Sequence, residues 1–528
     1  MTQHHNTTLI KALQNKALYD HPVTQFEVFE THISWVLLTG PFAYKIKKPV
    51  NFGFLDFSTL EKRRYYCEEE VRLNKRLAPQ LYIGTMRITG DVKRPHIEGK
   101  GPVIEYAVKM HQFDQAGQFD RMLLNKLLTA DHIDRVVDQL AEFHRTAGIA
   151  DKTRHFGTPQ AVKRPVAENF SQIRPLLSGE RDIERLQRIQ QWSEKMHQKI
   201  TPLLQARKDN GFIRECHGDM HLANIALYND DIVIFDCLEF NDNLRWIDVI
   251  SEAAFLMMDL DEHGCRQLAY RFLNGYLQYT GDYEGLKVLR YYLAYRAMVR
   301  AKVACLRQSQ PELQQNEKVA AQVQFRNYLT LAEQYTCSPP TALIITHGLS
   351  GSGKTTITQP LLEQCRALRI RSDIERKRLH GLSAEQQSRS GIDTGLYTAK
   401  ASEQTYRHLA HIAGTVIEAG YPAMADAAFL KRDQRNMFQA LARKMGVPYI
   451  ILDFQAPEAL LRKWIIERAE KGHDASEADI PVLEHQLATQ EPLTQDELKS
   501  TVTIDTSQAA DIDEIAKTLG NLVKRRNY

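Results

Sequence analysis

"CHGDMHLANIALYNDDIVIFDCLEF", residues 216–240, is the stretch on which the fold turns. His217, Asp219 and Asn224 stand in the pattern H-x-D-x-x-x-x-N, and the alternating run "IALYNDDIVIFD" reads as a β-hairpin that delivers Asp236 shortly after Asn224. Moving a phosphoryl group onto a hydroxyl needs these residue types in this order. An aspartate (Asp219) accepts the hydroxyl proton, an asparagine (Asn224) offers an oxygen to Mg²⁺, and a later aspartate (Asp236) joins the metal to the nucleotide's phosphates.

Such a loop needs a partner for those phosphates, and upstream sequence offers one. "AYKIKKPV" places Lys45 on a β-run after the Gly40-Pro41 turn, with Lys47 as its rival. "STLEKRRYYCEEEVRLNKRLAP" then reads as a helix opened by a capping box of Ser58 and Glu61 and closed before Pro79. Of its three consecutive glutamates, Glu70 lies nearest the apolar positions Cys67, Val71 and Leu77, so it is the one expected to be buried and to need a lysine. "LYIGTMRIT" and "PVIEYAVKMHQF" add β character, and residues 118–335 are mostly helical in pattern. A β-rich small lobe over 1–110 followed by a helical lobe over 111–336 is the outline of an α+β, protein-kinase-like fold.

About 130 residues beyond the first motif stands "HGLSGSGKTT", which satisfies G-x-x-x-x-G-K-[ST] with Gly348, Gly353, Lys354 and Thr355. Backbone N–H groups of Gly348, Ser350, Gly351, Ser352, Gly353 and the helix start at Thr355 and Thr356 are placed to cradle phosphates, Lys354 to neutralise them, and the Thr355 hydroxyl to hold Mg²⁺. Asp373 and Arg376 follow the strand-like "LRIR" as D-x-x-R. There a carboxylate can accept a hydroxyl proton and a guanidinium can fix an anion. Asp426 ends another apolar run and is a second carboxylate for metal or substrate. "LLRKWIIERAEKGHDAS" reads as a lid with Arg462 and Arg468, and a lid that excludes water suits transfer to an acceptor. Strands alternating with helices after the short "CSPP" linker (337–340) predict an α/β P-loop domain with a parallel sheet over 341–528.

With these residues assembled, about 25–335 resembles the aminoglycoside phosphotransferase and choline kinase-like family. "HGDMHLAN" fits that branch better than the H-R-D loop of protein kinases, and "CLEF" follows Asp236 where those enzymes have F-G. The resemblance suggests Glu239 as an aid to the metal site and Asp248, in "RWIDVISEAAF", as a brace for the loop. One departure is the turn near "ETHIS", which has no glycine to cover phosphates. Residues 341–528 resemble small P-loop kinases: polynucleotide kinase, gluconate kinase and zeta-toxin-like domains. By that resemblance Asp373 is the general base, Arg376 a contact to the acceptor, Asp426 an active-site carboxylate, and Arg462 and Arg468 lid arginines.

Bulk properties bound this reading. A chain of 528 residues exceeds one ordinary core, and 43% hydrophobic with 25% charged residues is a globular composition. A net charge of +3 does not indicate a duplex-binding surface. Seven scattered cysteines with no C-x-x-C pair suggest reduced thiols and a cytoplasmic protein, and no run of about 18 apolar residues suggests a membrane span. The expectation is a bifunctional enzyme using ATP and Mg²⁺, each half phosphorylating a hydroxyl of an unidentified small molecule. Two alternatives stay open: the first half is a non-catalytic nucleotide-binding regulator of one P-loop kinase, or the second half is a nucleic-acid 5′-end kinase.

Overall fold

The computed structural model describes residues 3–53, 55–310, 313–383, 386, 398–471 and 479–525. The chain forms two compact units. One comprises Met1–Leu177, Glu194–Asp259 and Arg296–Lys302; the other comprises Ser178–Ser193, Leu260–Tyr295 and Val303–Tyr528.

The first unit holds a six-stranded antiparallel sheet built from β1 (Glu27–Glu30), β2 (Ser34–Leu38), β3 (Phe42–Lys47), β4 (Tyr82–Asp91), β5 (Arg94–Ile97) and β6 (Val103–His111), in the order β1-β2-β3-β6-β4-β5. Period-2 alternation along β3 sorts its side chains. Tyr44 and Ile46 join the cluster of Leu9, Ile10, Leu13 and Trp35 on one face, which leaves Lys45 and Lys47 on the other. The glycine-free turn between β1 and β2 is closed by Thr31, whose hydroxyl accepts from the backbone N–H of Ile33 (3.3 Å) and Ser34 (2.9 Å).

The expected helix spans Leu60–Asn74, but its cap is Thr59, not Ser58: the Thr59 hydroxyl accepts from the Lys62 N–H at 3.2 Å. Ser58 is unavailable because both its N–H and its hydroxyl donate to Asp56, at 3.0 and 2.6 Å. Cys67 of this helix packs with Leu81, Val108, Ala226 and Val233, so helix, sheet and the 225–234 hairpin share one core. That hairpin pairs β8 (Ile225–Tyr228) with β9 (Asp231–Ile234), after the short β7 (Ile213–Glu215). Its two turn residues, Asn229 and Asp230, adopt φ of 51° and 64°, the conformation a two-residue hairpin demands and one that Asn and Asp tolerate. The short β10 (Trp246–Asp248) pairs with β7.

The second unit carries a five-stranded, all-parallel sheet of β11 (Leu343–His347), β12 (Leu368–Arg371), β13 (Ala423–Asp426), β14 (Tyr449–Gln455) and β15 (Thr501–Asp505), ordered β12-β13-β11-β14-β15. Ile344, Leu361, Leu362, Met424, Ile450, Leu452 and Leu519 form its core. The "CSPP" stretch lies between the helix Gln315–Thr336 and β11. Residues that precede it also belong to this unit: Asn274, on the helix Arg266–Thr280, bonds the backbone at Ala367 and Arg369, on either side of the start of β12. Among the described residues no helix is long and apolar enough to cross a membrane.

Candidate active sites

In the first unit the two lysines of β3 divide the work that one was expected to do. Lys45 Nζ lies 2.5 Å from Asp236 Oδ1 and 2.9 Å from Glu70 Oε1. Lys47 Nζ lies 2.6 Å from Glu70 Oε2 and bonds Glu239. A chain of alternating charge thus runs Asp236–Lys45–Glu70–Lys47–Glu239. Lys47 is fully buried, whereas the Asp236 carboxylate at the other end is 48% exposed. Burial opposes charge on Lys45, but Asp236 and Glu70 more than compensate and hold it well above the ordinary lysine range. Burial likewise opposes charge on Glu70, yet Lys45 and Lys47 hold its carboxyl below the usual range. Lys45 is therefore the lysine that reaches the open end of the site. Glu239 serves as counter-ion to Lys47.

The loop before the hairpin places the other groups. Gly218, at φ +91°, passes so close to the Leu244 carbonyl that an added Cβ would sit 2.7 Å from it, so this position requires glycine. His217 is fully buried, with Nε2 donating to the Phe235 carbonyl at 2.9 Å and Nδ1 accepting from the Asp219 N–H at 3.3 Å. Asn224 Nδ2 donates to the Asp219 carbonyl (2.9 Å) and to Asp219 Oδ2 (3.3 Å), which leaves the amide oxygen as its metal-type donor. Asp236 adopts φ +62°, a costly conformation for a non-glycine residue, next to the ion-pair chain. Oxygen donors of this kind suit Mg²⁺.

Three groups here were missed by sequence reasoning. His221 Nε2 lies 3.4 Å from Asp219 Oδ2; burial would raise the Asp219 carboxyl, but His221 outweighs it and holds Asp219 well below the usual carboxylate range. The second His of "HGDMHLAN" was the available signal. The loop also has holding groups that the sequence reading did not name. Asp248 is gripped by Arg207 at 2.7 and 2.8 Å, while the loop itself is held by buried Glu252, which accepts from the Gly218 N–H at 2.6 Å and pairs with His144 at 2.8 Å, and by Asp259, which accepts from the Leu222 N–H at 2.9 Å. Asp248 ends β10, and Glu252 lies one turn into the helix Val249–Glu262 that follows it.

In the second unit the phosphate loop follows the central strand, β11, and opens the helix Lys354–Cys365. Gly348 (φ +144°) is required because a Cβ would meet the Phe454 carbonyl at 2.7 Å. A cavity of about 820 Å³ is lined by Ser350 through Thr356 and by Asp373, Arg376, Asp426 and Arg468. The Thr355 hydroxyl donates to Asp426 Oδ2 at 3.2 Å, a hydroxyl and carboxylate pair of the kind Mg²⁺ takes at a phosphate loop. Asp373 opens the helix Ser372–Leu379 at the end of β12, and Arg376, one turn on, bonds Ser402. Arg462 does not line this cavity. It is tied to Glu458 and to Glu484 on the next helix, at 2.8 and 3.0 Å, so of the two arginines expected in a lid Arg468, six residues on along the same helix, is the one that lines the cavity. The glycine-containing part of the expected lid, 472–478, lies outside the described residues.

Lys354 Nζ donates to the carbonyls of Gly348 (2.8 Å) and Leu349 (2.7 Å). Burial pushes it down to about 8, although Asp426 and Asp373 pull the other way. Phosphate oxygens restore the charged form, so the sign is fixed: above about pH 8 nucleotide binding must take up a proton at Lys354, and well below it must not. Calorimetric titration with ATP at about pH 9, in two buffers of different ionisation enthalpy, is expected to show this uptake, and Lys354→Met to abolish it.

The profile of the phosphotransferase enzyme family matches residues 63–289, and that of an AAA domain matches 343–493. Uncharacterized proteins of Mycobacterium tuberculosis and Mycobacterium bovis are 30% identical over 463 residues, 86% of this chain and 89% of theirs. Among solved structures, an ethanolamine kinase of Plasmodium vivax is similar over 59% of this chain and 84% of its own (10% identity, TM-score 0.35). A gluconokinase of Sinorhizobium meliloti is similar over 35% and 93% (20% identity, TM-score 0.26). The chain belongs to one family with the mycobacterial proteins, and it joins a kinase-like domain of the phosphotransferase enzyme family to a P-loop kinase-like domain.

Proposed function

We propose that this phosphotransferase is bifunctional, ATP-dependent and cytoplasmic, with each domain transferring the γ-phosphoryl group to a hydroxyl of a small molecule. The observation that supports this most directly is the contact of Lys45 with Asp236, 191 residues apart, beside a loop that carries Asp219 and Asn224. In the transfer, a bond forms between the acceptor oxygen and the γ-phosphorus as the bond to the bridging oxygen of ADP breaks, and the acceptor proton passes to Asp219 in one domain and to Asp373 in the other. Mg²⁺, when bound, offsets charge on the β- and γ-phosphates. Lys45 and Lys354 orient those phosphates, Arg376 holds an anionic part of the acceptor, and Arg468 closes over the phosphates of the P-loop site.

The test is a metabolite-extract screen with labelled ATP on the full chain, on an Asp219→Asn chain and on a Lys354→Ala chain, with products identified by mass spectrometry. Two labelled small-molecule products, each lost in a different variant, are expected. A single product lost only in Lys354→Ala would favour a regulatory first domain. A labelled nucleic acid in place of a small molecule would favour the 5′-end kinase.

A further inference from the structure

We propose that Tyr283 is a positioning residue for the P-loop site, acting through Glu375 on the helix that carries Asp373 and Arg376. The inference rests on the reading of that site as a kinase.

Asp373 and Arg376 line the cavity, and their helix, Ser372–Leu379, is only two turns long. A helix this short does not hold its own orientation; packing must supply it. Glu375 lies between the two, with its side chain 1% exposed and outside the cavity lining. Its carboxylate accepts from the Tyr283 hydroxyl at 3.2 Å, from Arg378 and from His408 at 3.3 Å. Tyr283 is itself buried, so its hydroxyl needs the partner that this carboxylate supplies.

The contact is one of a series made by a single short segment. Arg271 pairs with Glu363 at 2.9 Å, Asn274 both donates to the Ala367 carbonyl (3.1 Å) and accepts from the Arg369 N–H (2.8 Å), the Gln278 carbonyl accepts from Arg378 at 2.5 Å, and Glu284 accepts from Thr415 at 2.9 Å. β12 is the edge strand of the sheet, and Asn274 supplies hydrogen bonds where another strand would. Gly281, at φ +72°, lies against the Arg378 guanidinium, where an added Cβ would come within 2.9 Å of Nε. The strand and helix bearing the proposed base and anion contact are thus clamped from one side by residues 271–284, which precede the P-loop in sequence by about 70 residues and fall within the stretch matched by the phosphotransferase family. Tyr283 is the member of this series that touches the helix nearest Asp373.

The test uses the full chain with its kinase-like site silenced by Asp219→Asn, so that ATP hydrolysis with water as acceptor reports the P-loop site. Tyr283→Phe keeps the ring and removes the hydroxyl. The expected result is a kcat lowered about tenfold with the KM for ATP changed less than about twofold, because the helix shifts while Lys354 and the phosphate loop stay in place. Amide hydrogen exchange over 372–379 is expected to speed up while 343–356 is unchanged. Asn274→Asp, which loses the donor to Ala367, is expected to act in the same direction. An unchanged kcat in Tyr283→Phe, or kcat and KM altered together with faster exchange throughout the unit, would overturn the proposal. Failure of the underlying reading shows separately, as ATP hydrolysis that survives Lys354→Ala.

Discussion

Asp219→Asn is expected to lower transfer by the first domain at least about 10²-fold, the scale of losing a general base, while Mg²⁺-dependent ATP binding persists. Lys45, Glu70 and Asp236 are untouched by the change, and Asn224 retains its bond to the residue-219 carbonyl. The substitution also has a signature independent of turnover. Burial lowers the His221 imidazole, and Asp219 more than reverses this; without the carboxylate His221 must titrate lower, which NMR of the ring resonances would register. The P-loop product should form at its normal rate, since its phosphate site is separate. Transfer at the wild-type rate would remove Asp219 from the mechanism.

Asp373→Asn is the corresponding change in the second domain, with an expected loss of about 10²- to 10⁴-fold in transfer. Asp373 stands at the end of β12 on the cavity wall, beside the phosphate loop but not part of it, so ATP affinity near neutral pH should change little. One secondary effect has a definite sign. Asp373 is among the charges that pull Lys354 upward against burial, so its neutralisation lowers Lys354 further and weakens ATP binding at alkaline pH more than in the parent chain. A variant that transfers phosphate normally would make Asp373 an ordinary helix-start residue.

Both domains were legible in sequence because each is announced by local chemistry. The phosphate loop must be contiguous, since its backbone amides converge on one anion and glycine alone tolerates its φ values. The loop from His217 to Asn224 must likewise be contiguous, and the period-2 pattern after it has one folded solution, a hairpin ending at Asp236. Periodicity also placed Glu70 on the buried face of its helix. Local patterns erred where two neighbours could serve: Ser58 and Thr59 are equally good caps until Asp56 captures one.

What only the tertiary structure decided are the partnerships between segments distant in the chain. Lys45 and Lys47 are both cationic and both on the same face of β3; which one reaches the open end of the site depends on Glu239, 192 residues away from Lys47. Arg462 and Arg468 share a helix, and only the acidic residues around the first turn it away from the cavity. The clamp of residues 271–284 on β12 has no sequence signature, because a helical segment with a polar Asn and Tyr reads the same whichever sheet it covers. Side-chain type and spacing specify what a residue can bond. Burial then decides which of its bonds must form, since an unpaired charge or hydroxyl costs most where water cannot reach it.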